Sequence, residues 1–238
     1  APDLVYTPAV DYSGGDSFTY VVNDGLVDSA PAVVDITVLP INDAPVAFNQ
    51  QLEFAEDTSV PLTLTWQDVD GDTVTATILT QPLNGTLAGS GFNYSYTPDA
   101  NFVGDDSFTF KVNDGELDSN VATVLLTANP VNDAPVADDG SATTLEDEPV
   151  VIVLSASDVD GDALSYSILA NPASGSLQSL GGNTVEYTPA PGFFGNDLFT
   201  FYVNDGQLDS NVATVTIEVI EKNKPPVIIS TAVEQGFE

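Results

Sequence analysis

Three stretches of this chain alternate inward-type apolar residues with other residues at a period of two, then stop at the same turn. Phe18, Tyr20 and Val22 alternate with Thr19 and Val21 ahead of Asn23-Asp24-Gly25. Phe108, Phe110 and Val112 do so ahead of Asn113-Asp114-Gly115, and Phe199, Phe201 and Val203 ahead of Asn204-Asp205-Gly206. A period of two is that of a β-strand with one buried face, and Asn-Asp-Gly is turn chemistry. A second alternating run follows each: Val34, Ile36 and Val38; Val124 and Leu126; Val215, Ile217 and Val219. Lys111 falls on the outward phase of its strand, which sets it against solvent and argues against an intramolecular isopeptide bond.

Ahead of the second and third of these blocks lies a longer pattern, also repeated. It runs Glu56-Asp57, a strand through Val60, Leu62, Leu64 and Trp66, the loop Asp68-Val69-Asp70-Gly71-Asp72, a strand at 74–79, and a hairpin signal at Asn84-Gly85. The later copy runs Glu146-Asp147, a strand at 150–154, Asp158-Val159-Asp160-Gly161-Asp162, a strand at 164–169, and Ser174-Gly175. Short strands, turn signals at roughly 8–12-residue spacing and no helical periodicity predict an antiparallel β-sandwich. Trp66, Tyr94, Tyr96 and Phe102 belong to its core on this reading.

A recurring phrase divides the chain. Pro40-Ile41-Asn42-Asp43-Ala44-Pro45-Val46-Ala47 returns ninety residues later as Pro130-Val131-Asn132-Asp133-Ala134-Pro135-Val136-Ala137. A damaged third copy, Lys222-Asn223-Lys224-Pro225-Pro226-Val227, puts Asn223 ninety-one residues after Asn132. Repetition at this period marks joints between like modules. The expected organisation is the back half of a module at 1–41, whole modules at 42–131 and 132–222, and the start of another at 223–238. Starting mid-module without a single Met, the chain reads as a piece of a longer polypeptide. Its partial ends are either loose or completed by a neighbouring chain.

Charge narrows the function. Thirty-six Asp and Glu against three Lys and no Arg give a net charge of −33, which repels nucleic acid and anionic lipid and attracts cations. Part of that charge is accounted for as a solubility device. With no Cys, His or Met there is no disulfide, no thiol nucleophile and no soft metal ligand, so hard oxygen ligands alone remain. No apolar run nears the ~18 residues needed to span a bilayer, and no signal peptide is present.

Among so many acids, those recurring at turns beside the joints stand apart: the Asp-x-Asp-Gly-Asp loop, the Asp after the aromatic strand, the early Glu, and the Asn-Asp of the joint itself. Carboxylates one residue apart on irregular backbone can converge on one ion, the Gly allows tight curvature, and no Lys or Arg sits in these segments before the third joint. Ca²⁺, with six to eight oxygen ligands, fits best. The plainer alternative is that these Asp residues cap turns and bind backbone amides. The loop is not an EF-hand: Gly71 and Gly161 stand at loop position four where the EF-hand has six, and Leu79 and Leu169 occupy the twelfth position where a Glu is required.

Ala156-Ser157-Asp158-Val159-Asp160, the aromatic strand ending in Val203-Asn204-Asp205, the Val-x-Ile-x-Val run and the Pro-x-Asn-Asp-Ala-Pro joint together resemble tandem cadherin and cadherin-like (Ig-like) repeats, closest to those of large repetitive bacterial surface adhesins. The resemblance covers both whole modules and the N-terminal part. It implies an all-β fold of tandem Greek-key β-sandwich modules arranged end to end, with Ca²⁺ held at the joints. Carried across, Asn42, Asp43, Asp68, Asp70 and Asp114 would ligate at the first joint. Asn132, Asp133, Asp158, Asp160 and Asp205 would do so at the second, with Glu56 reaching it from the preceding module. The Asp-Arg-Glu motif of cadherins has no counterpart, which implies one or two ions per joint. At the third joint Lys224 replaces the ligating Asp, so that site is expected to be weak or empty.

The resemblance implies an extender segment of a secreted or cell-surface bacterial adhesin, extracellular, stiffened by Ca²⁺ and partnered by its own neighbouring repeats. The alternative is an interaction module that binds surface glycan or protein, or that self-assembles into a filament by strand completion between copies. Paired carboxylates alone do not make an enzyme; without His, Cys or a cofactor loop, and with the acid loop printed in each module, none is expected.

Overall fold

The computed structural model describes residues 3–223 and 225; of the segment expected to start a further repeat, Lys224 and residues 226–238 lie outside the described residues. The chain divides into two compact units, the second beginning at Asn132. All regular elements among the described residues are strands.

The first unit opens with a ribbon of β1 (Gly14–Tyr20) and β2 (Ala32–Val38), paired antiparallel from Gly14↔Val38 to Tyr20↔Ala32. A sandwich follows. Its short strands β3 (Val46–Ala47) and β6 (Trp66–Gln67) pair with each other. One sheet holds β4 (Gln50–Ala55), β7 (Thr75–Thr80), β10 (Gly104–Asn113) and β11 (Ala122–Asn129) in the order β4-β11-β10-β7. The facing sheet holds β5 (Val60–Thr63), β8 (Gly85–Ser90) and β9 (Asn93–Pro98) in the order β5-β9-β8.

The alternation read from sequence is what fills the space between the sheets. Phe108, Phe110, Val112, Val124 and Leu126 are fully buried, and they meet Tyr96 and Leu62 from the other sheet and Leu64 just after β5. Each such side chain contributes about 1.5–3 kcal/mol on leaving water. Trp66, Tyr94 and Phe102 pack at the margin of this core, Trp66 against Phe92 with ring centroids 5.5 Å apart.

The second unit repeats the plan. Its strands are β12 (Val136–Ala137), β13 (Gly140–Leu145), β14 (Val150–Val153), β15 (Ala156–Ser157), β16 (Ser165–Ala170), β17 (Gly175–Gly181), β18 (Thr184–Pro189), β19 (Gly195–Asn204) and β20 (Ala213–Ile220). The sheets are β13-β20-β19-β16 and β14-β18-β17, with β12 paired to β15. The aromatic strand keeps its register in all three copies: Gly14↔Val38, Gly104↔Ala128 and Gly195↔Val219 are equivalent pairs.

Three details depart from the sequence reading. The sandwich is not wholly antiparallel: β4 runs parallel to β11, and β13 parallel to β20. The first long strand joins the edge of the last one instead of forming a hairpin with it. The strand expected through Val60 and Trp66 is split into β5 and β6, because the chain changes partners between them: β5 pairs with β9 and β6 with β3. Asn84-Gly85 is not a hairpin turn. The β8–β9 hairpin turns at Gly91-Phe92, with Gly91 at φ 62°, while Leu83 and Asn84 donate their amides to buried Asp106 and steer the chain from β7 to β8.

Candidate metal centre

The residues expected at the first joint come from three places within the first unit: the stretch leading into β3, the loop after β6, and the turn after β10. The turn after β10 is built on Asp114. Its Oδ1 accepts the amides of Glu116 and Leu117, each at 2.7 Å, and its Oδ2 accepts Asn42 Nδ2 at 2.9 Å. These donors, the Leu117 amide first, then Asn42 and the Glu116 amide, hold the Asp114 carboxyl below the usual carboxylate range, so it is anionic at neutral pH.

The acidic loop is wound in the same way. Asp68 Oδ1 accepts the amides of Gly71 at 2.8 Å and Asp72 at 3.1 Å, which is possible because Gly71 takes φ +79°, where a side chain would strain the backbone. Asp70 Oδ2 accepts the amide of Asp43 at 2.8 Å. Asp68 Oδ2 is left buried without a hydrogen-bond donor. A buried, anionic oxygen with no donor is costly unless something positive satisfies it. Carboxylate oxygens of Asp68, Asp70 and Asp72 lie within 4.8 Å of one another. Asp43 and Asp70 also line a cleft of ≈ 270 Å³ together with Asp11, Tyr12 and Ile41.

The second unit reproduces these contacts. Asn132 Nδ2 donates to Asp205 Oδ2 at 2.8 Å, the Asp133 amide to Asp160 Oδ2 at 2.8 Å, and the Asp162 amide to Asp158 Oδ1 at 3.1 Å. Asp158 Oδ2 is buried without a donor, as in the first copy. Asp158, Asp160 and Asp162 offer oxygens within 4.8 Å of one another. Asp205, bonded first by the Leu208 amide and then by Asn132 and the Gln207 amide, is held below the usual range like Asp114.

Glu56 is 4% exposed. Its Oε1 accepts the Val131 amide at 2.7 Å and its own amide donates to the Asn129 carbonyl at 2.9 Å, which fixes its carboxylate where its module ends. Its counterpart Glu146 accepts the Lys222 amide on Oε2 at 3.3 Å. Beside it, Lys222 Nζ reaches Glu148 at 2.8 Å. Lys111 pairs with Asp118 at 2.6 Å, side-chain exposures being 31% and 50%, so neither described lysine is spent on the acidic loops.

The sequence reading left two loop members out of its ligand set. Asp72 and Asp162 stand with the other two carboxylates of each loop, and the signal for them was the last Asp of Asp-x-Asp-Gly-Asp itself. An array of carboxylate and amide oxygens of this kind suits a hard divalent cation such as Ca²⁺ and offers nothing to a soft one.

Comparison with known proteins identifies the family. The sequence profile of the bacterial Ig domain family matches residues 1–37, 42–127 and 132–218. Integrin beta-like protein A of Dictyostelium discoideum is 29% identical over 272 residues, covering 94% of this chain but 13% of that protein. Among solved structures, protocadherin gammaB7 EC3-6 is similar at a TM-score of 0.54 and 20% identity, covering 86% of this chain and 58% of the other. Mouse clustered PcdhgC3 EC1-3 is similar at 0.50 and 17%, covering 87% and 77%. These two likenesses show the fold, that of tandem Ig-like and cadherin-like β-sandwich repeats.

Proposed function

The chain belongs to the bacterial Ig domain family, and we propose that its modules form a Ca²⁺-stiffened extender segment of a secreted or cell-surface adhesin. The reading takes 1–41 as the back half of a module, 42–131 and 132–222 as whole modules, and 223–238 as the start of the next. The ligands are Asn42, Asp43, Asp68, Asp70 and Asp114 in one set and Asn132, Asp133, Asp158, Asp160 and Asp205 in the other. Asp72 and Asp162 join them, and Glu56 is retained on the sequence argument.

The observation that carries the reading is the buried, donor-free oxygen of Asp68, repeated in Asp158, inside an array that neither described lysine neutralises. An ion there would remove the mutual repulsion of the carboxylates and tie the chain entering a module to that module's acidic loop and turn. Extracellular modules of this kind bind with Kd of ~10⁻⁴–10⁻³ M, so the segment would stiffen in millimolar external Ca²⁺ and slacken without it. Linkage gives the test. At ~2 mM Ca²⁺ and a Kd of ~10⁻⁴ M, each filled site adds about 2 kcal/mol to the unfolding free energy. Denaturant unfolding in Ca²⁺ and in EGTA reads that difference, and Asp68→Asn with Asp158→Asn should shrink it; equal stability in the two conditions would sink the reading.

One observation favours a second reading, self-assembly by strand completion. Phe18 and Tyr20 of the β1–β2 ribbon are 36% and 46% exposed, although their equivalents Phe108 and Phe110 are fully buried. Strands laid across that face, as β5, β9 and β8 lie across Phe108 and Phe110, would cover it, and a strand parallel to β2, as β4 lies beside β11, would extend its sheet.

A further inference from the structure

The two ligand sets are near copies, but they differ at one position of the turn that follows the aromatic strand. In the second unit Gln207 Nε2 donates to Asn132 Oδ1 at 2.7 Å. In the first, the same position is Glu116, placed by the same backbone contact: its amide meets Asp114 Oδ1 at 2.7 Å, as the Gln207 amide meets Asp205 Oδ1 at 2.6 Å. An ionised carboxylate has no proton to donate, so residue 116 cannot cap Asn42 Oδ1 as Gln207 caps Asn132 Oδ1. Asn132 Nδ2 also reaches the Asp133 carbonyl at 3.2 Å; both Asn residues give Nδ2 to their Asp and have the side-chain oxygen left as an acceptor. That oxygen is the neutral ligand an Asn brings to Ca²⁺.

We propose that this turn position sets the affinity of each cation site. Glu116 adds a negative charge and leaves Asn42 Oδ1 open, which makes the first set the tighter one. Gln207 adds no charge and takes one of the two lone pairs of the Asn132 oxygen, so an ion entering the second set competes with a hydrogen bond. The segment therefore responds to calcium in two steps, and the second set empties first as the concentration falls. The inference rests on the reading of both sets as Ca²⁺ sites.

The test titrates Ca²⁺ into the metal-stripped, ¹⁵N-labelled chain and follows the amides of Gly115 and Gly206, which bond Asn113 and Asn204 inside the two turns. The Gly115 signal is expected to reach half-change at about fivefold lower Ca²⁺ than that of Gly206, the size of one extra charge at ~8 Å in a watery surround. Gln207→Glu should bring the second midpoint down to the first, and Glu116→Gln should raise the first toward the second. Gln178→Glu puts the same charge on β17, away from the turn, and should move neither. Midpoints that respond to Ca²⁺ but ignore both exchanges would overturn this inference and leave the parent reading standing. Amides that do not respond to Ca²⁺ at all would overturn both.

Discussion

Tyr96 donates its hydroxyl to Asp106 Oδ2 at 2.9 Å, and the pair recurs ninety-one residues later as Tyr187 and Asp197 at 2.9 Å. Asp106 is 6% exposed and also accepts the amides of Leu83, Asn84 and Ser107. Burial alone would push its carboxyl up, but the amides of Leu83, Asn84 and Ser107, with Tyr96, outweigh that and hold it below the usual range. Asp197 is held down in the same way. In turn, burial and the neighbouring carboxylate push the Tyr96 hydroxyl above its ordinary value. This pair pins the bend between β7 and β8 to the start of β10 and so ties the two sheets together.

Asp106→Ala removes the acceptor of three amides and of the Tyr96 hydroxyl, and should lower the unfolding free energy of the first whole module by about 3 kcal/mol. Tyr6 and Asp16 make the same contact at 2.8 Å on the exposed ribbon; Tyr6→Phe there should leave stability unchanged, while Tyr96→Phe lowers it. The sign with pH follows from the depressed carboxyl. The unfolded chain binds the proton more readily, so the contribution is complete above about pH 4 and is lost as pH falls through the folded value. Urea midpoints across pH 2–5 should drop less steeply in Asp106→Ala, Asp197→Ala than in the parent.

Gly85 and Gly71 separate two uses of glycine. A Cβ at Gly85 would sit 2.5 Å from the Thr97 carbonyl and 2.6 Å from Tyr96 Oη, so Gly85→Ala must displace the same Tyr96 that holds Asp106. The expected loss is about 3 kcal/mol. A Cβ at Gly71 would meet nothing within 4 Å and suffer only the positive φ. Gly71→Ala should cost about 1 kcal/mol. Thermal unfolding of the two variants, side by side, checks the order.

Asn120 acts as a clip for a strand too short to hold itself. It accepts the Ala47 amide at 3.0 Å and donates to the Ala47 carbonyl at 2.9 Å, giving β3 the contacts a neighbouring strand would give. Asn211 does the same for Ala137. Asn120→Ala should cost about 2 kcal/mol and raise amide exchange at Ala47 first. Protection at Ala47 equal to that of the parent would remove the clip from the account.

What the sequence made legible was whatever depends on local period and repetition. The alternation at Phe108, Phe110 and Val112 located β10 and its buried face, and the ninety-residue return of Asn-Asp-Ala-Pro located the acid loops. Features set by distant pairing stayed hidden. Nothing local at Gln50–Ala55 tells that this strand runs parallel to β11, seventy-odd residues on. Asn84-Gly85 carries the letters of a hairpin turn, and only the far-off Asp106 makes it a bend between sheets. Asp106 was one acid among thirty-six until its burial set it apart. The loop carboxylates were readable as a group, yet the difference between Glu116 and Gln207 acquired meaning only once Asn132 Oδ1 was seen to be capped.

The central claim is that calcium stiffens the chain through its acidic loops, and small-angle X-ray scattering tests it most directly. The chain would be measured in about 2 mM Ca²⁺ and in excess EGTA at matched ionic strength, so that screening stays constant. The account predicts an extended, rigid particle with Ca²⁺ and a flexible one, shorter on average, after chelation; Asp68→Asn with Asp158→Asn should resemble the chelated chain in both buffers. Identical scattering with and without calcium would contradict it, and would leave the acidic loops as turn-capping, solvating chemistry.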